Sequence, residues 1–437
     1  MKDFTSRRDF FLGTATAAAG MYVGVNSSPT VSMLNAAESP ESKQRTRTPI
    51  VWYWAGPGTH NDVNEKTVSQ LVAGGWTMAW DIGWPRTGEP KYLDLYHRHG
   101  LKVALNLARF VEEWEPKADF NFDDREQTRE LDELIDRVRN HPAVYAYFLW
   151  DEPNASRFPF FGRFVAHLRK LDPTRPAIVN LYPTYASSAQ LGTDSYQEHL
   201  QQFVKTVRPE VLSYDHYPFV AGADFWFGHY FLNLGLVRGA AVKAGVPFIN
   251  IIQSSPWIEW DHVATEGEVR WQVYTSLAYG AQGICHFVYN ARHVSRGLFK
   301  DSPESETPLP IWWAIAGINR EFVAIAEELQ PLKSHAAYHI GAVPRGGVAL
   351  PADSRFMVES GEGNQGFVLG CFGKSDSPST HVVLVNMDYN SAAAVTLKAS
   401  APIDLFHAPT GEWTPCPEGS RMKLDLPPGG GWLVRLR

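Results

Sequence analysis

The sequence is poor in cysteine. Cys285, Cys371 and Cys416 are the three in 437 residues, too few and too widely spaced for a disulfide framework or a paired-cysteine metal site, and they read as buried thiols. An excess of basic charge is missing as well. With a formal net charge of -7 and a pI near 6.1, there is no cluster of Lys and Arg of the kind that holds nucleic acid or an anionic membrane, so neither is an expected partner. Long apolar runs are scarce: residues 10–25 are too short and too rich in Ala and Gly to favour a spanning helix. No Gly-x-Gly-x-x-Gly turn follows an early apolar run, which takes away the dinucleotide-binding reading, and no cofactor is expected. His216 and His286 fall near the ends of apolar runs, but no third ligand at a recognisable spacing joins them, so they read as structural histidines and no metal is expected.

At 44% hydrophobic and 20% charged residues, the chain has the composition of a globular protein with material for one large domain and one smaller one. Its start is a separate matter. Arg7 and Arg8 precede the mildly hydrophobic 10–25, the pattern of a twin-arginine export signal, and 27–48 is a spacer rich in Ser, Pro and Thr. With Asn35-Ala36-Ala37 as a small-residue cleavage point, the signal covers 1–37 and a linker 38–48, and the mature protein is expected in the periplasm or secreted, with no membrane insertion once the signal is removed.

From residue 49, short apolar runs alternate with helix-length amphipathic segments. The runs are 50–54, 76–81, 101–107, 143–149, 177–181, 211–214, 247–252 and 283–288. The helical segments are 63–73, 91–99, 125–140, 160–171, 198–207, 225–244, 268–279 and 311–329. Eight such pairs predict an α/β fold, a (β/α)8 TIM barrel over 49–335, with an open doubly wound sheet as the alternative. After about Ala336 the helices cease. Runs at 366–372, 381–387, 393–397, 403–406 and 430–436, separated by Gly, Pro, Asp and Asn, predict a small C-terminal antiparallel β-sandwich over 336–437, which covers a flank of the barrel.

The fourth run, AVYAYFLWDEPN over 143–154, organises the chain. It is apolar almost throughout, as an inner strand should be, and stops at Asp151, Glu152 and Pro153, which lacks a backbone donor and pushes Glu152 out of helical conformation. In a barrel the strand ends share one mouth. Here they bring Trp54, Asp81, Asn106, Asp151 with Glu152, Asn180 with Tyr182, Asp215 with His216 and Tyr217, Gln253, and Tyr289 with Asn290. A sugar offers hydroxyls to acids and amides and a CH face to aromatic rings, so this ring suits carbohydrate better than phosphate. Glycosidic bonds are commonly cleaved between two carboxyl groups, and Glu152 is the first candidate, with apolar surroundings suited to an acid. The bland role for it is to cap the next helix or pair with an arginine.

Trp150-Asp151-Glu152-Pro153-Asn154 resembles the Asn-Glu-Pro signature closing strand four in the clan of retaining (β/α)8 glycoside hydrolases, and 268–284 is similar to the helix-seven to strand-eight segment of its β-galactosidase-like members. The resemblance implies that Glu152 is the general acid/base and that the substrate is a polysaccharide or oligosaccharide. Two positions depart from the pattern. Asp151 replaces the signature asparagine, and strand seven, where the clan has its nucleophilic glutamate, ends in Gln253, an amide that cannot form the ester intermediate. Asp215, Glu259 and Asp81 are substitutes, of which Asp215 is favoured for its place beside His216. Trp54, Trp84, Trp257 and Trp260 are candidate sugar platforms. A carbohydrate-binding pseudoenzyme on the same barrel is the alternative to a hydrolase, and a metal-dependent hydrolase or lyase is a third reading.

Overall fold

Eight short strands, apolar on both faces, form one parallel sheet: β1 Ile50–Tyr53, β2 Met78–Trp80, β3 Lys102–Asn106, β4 Val144–Asp151, β5 Ala177–Leu181, β6 Leu212–Asp215, β7 Phe248–Gln253 and β8 Gly283–Phe287. This computed structural model describes residues 49–59, 62–117, 119–219, 224–256, 262–290, 297–300, 307–360 and 365–437. The export signal and linker expected at 1–48, and Trp257, Glu259 and Trp260, lie outside the described residues.

The strands are ordered β1-β8-β7-β6-β5-β4-β3-β2. Side chains help draw β1 and β2 together. Thr77 N donates to Val51 O at 3.0 Å, Val51 N to Thr77 Oγ1 at 2.9 Å, and Trp80 Nε1 to Tyr53 O at 2.7 Å. The sheet thereby curls into the (β/α)8 barrel, wrapped by α1 Glu65–Ala73, α2 Pro90–Arg98, α3 Ala108–Trp114, α4 Arg125–Val138, α5 Phe158–Leu171, α6 Ser188–Leu191, α7 Tyr196–Val207, α8 Asp224–Ala244, α9 Glu266–Ala278 and α10 Pro310–Leu329. Large rings fill its interior. Trp52 and Trp80 have centroids 4.3 Å apart, Phe148 lies 4.9 Å from Trp80, and all three are buried; each such burial stabilises by roughly 1.5–3 kcal/mol.

Nine further strands follow in two antiparallel sheets: β9 Lys333–Ile340, β10 Phe356–Ser360, β11 Phe367–Gly373, β12 His381–Asn386, β13 Ala393–Ala399, β14 Ile403–His407, β15 Glu412–Pro415, β16 Arg421–Leu426 and β17 Gly431–Leu436. One sheet runs β10-β13-β16, the other β15-β14-β17-β12-β11-β9. This sandwich covers α9, which explains why that helix is buried on nearly every side. The approach needs glycine on both partners: a Cβ on Gly370 would collide with the Ala278 carbonyl, and one on Gly267 with that of Tyr389. Tyr279 Oη and His339 Nε2, 2.8 Å apart, join the two layers. No helix among the described residues is long and apolar enough to cross a membrane.

Candidate active site

Parallel neighbours in register share a face of the sheet, so the inward set follows from the ladder. Trp52 faces in among the rings of the barrel interior. It pairs with Cys285, Cys285 with Ile251 and Ile251 with Asp215. Two residues back on β6, Ser213 also faces in and is level with Asn180, which is level with Asp151. Phe148 faces in too, although it lies three residues before Asp151. The irregularity in β4 between Phe148 and Trp150 resolves this parity conflict by adding a residue and turning Asp151 into the mouth.

These residues bond to one another. Asn180 Nδ2 donates to Asp151 Oδ1 at 2.9 Å and to Asp215 Oδ1 at 3.0 Å, while Asn180 Oδ1 accepts from Ser213 Oγ at 2.9 Å. Ser213 thus fixes which way the amide points, and the amide holds two acids within two hydrogen-bond lengths of each other. Asp215, Asn180 and Ser213 are buried; Asp151 and Glu152 are half-buried, so the acidic tip reaches solvent. Beneath it, the Cys285 thiol is pushed well above its usual range, first by burial and then by Asp151 and Asp215.

Glu152 leaves the strand in the left-handed region, at φ 49°. Pro153 bars the right-handed helix as expected, but the residue turns left-handed rather than extended, a conformation costly for a side chain with Cβ and concentrated at functional positions. Its N–H donates to Asn180 O at 2.8 Å. The Tyr182 hydroxyl is pushed up to about 12 by burial, then by Glu152, Asp151 and Asp215, with Arg157 opposing. Tyr182 therefore senses all three carboxylates. The capping role falls to Asn154, whose Oδ1 accepts from Ser156 N at 2.9 Å. Arg157 pairs with Glu115, Nε to Oε1 at 2.6 Å, and stacks over Trp150 at 4.4 Å. Trp54, half-buried, packs edge-on against Trp80 and Phe148, each at 5.5 Å, as an aromatic floor to the mouth.

Other expected site residues are committed elsewhere. Gln253 faces the mouth, yet both ends of its amide serve a loop: Oε1 accepts from Phe219 N at 3.0 Å and Nε2 donates to Phe219 O at 2.9 Å. His216 is buried with Nδ1 2.9 Å from Asn233 Oδ1, between the Tyr185 and Tyr230 rings. Tyr217 is buried against Phe287, centroids 4.9 Å apart. Asn106 starts α3, its Oδ1 accepting from Ala108 N at 3.0 Å. Tyr289 turns away from the mouth toward the helices, packing on Tyr53 and Trp76 with its hydroxyl 3.4 Å from Gln70 Oε1. The sequence reading passed over Ser213, Cys285 and Arg157. The first two are legible from the alternation of strands β6 and β8 once Asp215 and the register are known.

Gln253→Glu, which restores an acid at the end of β7, is expected to destabilise by about 1–3 kcal/mol, because a carboxylate cannot donate to Phe219 O. A denaturant titration reads the loss, and turnover is not expected to rise.

Asp81 is 1% exposed and anchors the loop after β2. It accepts from Gly88 N at 3.2 Å and from Ile82 N, Gly83 N and the Thr87 hydroxyl, but burial outweighs these donors and raises its pKa from 3.8 to about 7. The folded state therefore holds the Asp81 proton more tightly than the unfolded chain. Its contribution to stability falls as pH rises from about 4 to about 7 and is flat above that. Melting temperatures of Asp81→Asn across this window are expected to lack that slope.

Residues 127–302, which include Asp151, Glu152, Asn180, Asp215 and Gln253, match the glycoside hydrolase 42 family, described as beta-galactosidase. Over that segment the chain is similar to the β-galactosidase-like members of the (β/α)8 glycoside hydrolase clan. A beta-glucuronidase from Rattus norvegicus is 34% identical over 105 residues, 23% of this chain. The match spans only 15% of the length of that curated relative. Among solved structures, one titled as a glycoside hydrolase superposes with a TM-score of 0.51 at 10% identity, covering 88% of this chain and 91% of its own. The family 39 glycoside hydrolase from Bacteroides cellulosilyticus gives 0.49 at 13% identity, with 91% and 83% covered. At the end of β7 this chain carries a loop-fixing amide, Gln253, where the resemblance to the clan implies a carboxylate.

Proposed function

We propose that this protein hydrolyses glycosidic bonds in a polysaccharide or oligosaccharide at the mouth of its barrel, with Glu152 as general acid/base and Asp215 as the second carboxylate. The observation that carries the reading is the convergence of Asp151 and Asp215 on one Asn180 amide, with Glu152 beside them on a solvent-reachable strand end. Glu152 gives its proton to the departing sugar oxygen. Asp215 acts on the other side of the ring, as nucleophile if it stands about 5 Å from Glu152 and as base for a water if about 6.5–9.5 Å away. Trp54 offers the apolar face of the sugar a ring to lie on.

The test is a panel of aryl glycosides and oligosaccharides, with the anomer of the first product followed by proton NMR. Release of a reducing sugar is the expected result, and its configuration assigns the role of Asp215. Gln253 favours one second reading, a carbohydrate-binding pseudoenzyme, because its amide is used up by Phe219. Glycan binding with no product after long incubation would select that reading over hydrolysis.

A further inference from the structure

Among the large apolar side chains, Trp84 is conspicuous: 52% exposed, in the loop between β2 and α2, at the end of the barrel that carries Glu152. It is not a loose side chain. The Arg109 guanidinium lies 3.4 Å from its ring centroid, so one face is backed by a cation and the open area belongs to the rest of the indole. Arg109 is itself fixed by Glu130 and, at 3.8 Å, by Glu113. The loop is tied by Asp81 to Gly88 and by Arg86 N to Gly83 O at 2.9 Å. A large apolar ring held rigid, backed on one side and exposed to water, loses little freedom when a flat partner covers it.

We propose that Trp84 is a remote carbohydrate subsite, an aromatic platform that stacks on a ring of a bound sugar chain beyond the ring held at Glu152. The spacing supports a remote position. β2 and β4 are separated by β3, and two strand intervals of about 4.8 Å put the end of β2, from which the Trp84 loop springs, roughly 10 Å along the rim from the end of β4. Trp54, which touches Phe148 of β4, serves the inner ring. Arg109 polarises the indole and keeps its plane fixed, and it leaves the platform without a carboxylate partner requirement on the sugar. The ligand class is therefore an oligosaccharide of neutral or mixed units, read by its CH face and by length.

This rests on the glycosidase reading, and the experiment separates the two. For the sugar the wild-type protein hydrolyses, kcat/KM is measured for an aryl monoglycoside and for the series from disaccharide to hexasaccharide, with wild type, Trp84→Ala and Trp84→Phe. The ratio of kcat/KM for the longest chain to that for the aryl glycoside is expected to fall about tenfold or more in Trp84→Ala, through KM, and to recover in large part in Trp84→Phe. The same ordering is expected in the affinity of the Glu152→Gln protein for the hexasaccharide by calorimetry. A ratio unchanged by Trp84→Ala, or an equal loss on short and long substrates, overturns the subsite while leaving the glycosidase intact. Absence of turnover on every glycoside by the wild-type protein, with no hexasaccharide binding, overturns both.

Discussion

Glu152→Gln is expected to lower turnover of an oligosaccharide by about 100- to 10,000-fold, the range a positioned general acid contributes. The substitution keeps shape and polarity but gives up the ionisable proton, so its thermal unfolding is expected to track the wild type. The size of the loss depends on the leaving group. A sugar alkoxide needs a proton to depart, whereas a dinitrophenolate leaves nearly unaided, so the deficit in kcat/KM, which reports the bond-cleaving step, is expected to be much smaller on a dinitrophenyl glycoside than on an oligosaccharide. That contrast is what an acid predicts and a purely structural Glu152 does not, since structural damage would reduce both substrates alike. Equal losses on the two, or an active variant, would remove the assignment.

The barrel was legible because its signals are local. Most strands are short apolar runs ended within a few residues by Gly, Pro or an acid, and helices such as α4 and α7 show their period in alternating buried and exposed faces. What escaped was short or depended on partners distant in sequence. α3, a seven-residue helix, is too brief for its period to register. β16 alternates buried and exposed residues strictly, but neighbouring Lys, Arg and Asp disguise it as loop. The mouth itself was readable as a ring of strand ends, because βα order alone puts those ends together. Their individual orientation was not. Asp151 faces inward only because β4 carries an extra residue; Tyr289, two residues past the end of β8, turns outward where strand alternation would put it in the mouth; and Gln253 is engaged by a backbone segment 34 positions away. Register, not composition, sorts these residues, and register is written in hydrogen bonds between strands.

Asp215→Asn is expected to cost at least about a hundredfold in kcat on every glycoside, including the dinitrophenyl one, because the group on the nucleophile side of the sugar is needed whatever leaves. The local wiring also favours a chemical over a structural loss. Asn180 Nδ2 can still meet the side-chain oxygen of an asparagine at 215, so the amide network anchored by Ser213 stays closed. Azide, a small anion that needs no base, is expected to restore part of the turnover and to appear in the product as a glycosyl azide. Asp151 provides the internal control. It shares the same amide, so Asp151→Asn, like Asp215→Asn, exchanges one carboxyl of the mouth for a neutral amide. If the reaction depends on charge in the cup alone, the two variants fall together; if it depends on a carboxylate at one point, Asp215→Asn falls much further and it alone responds to azide. Should Asp151→Asn be the one that collapses and is rescued, the second carboxylate is on β4, and the amide of Asn180 holds Asp215 as its counterweight.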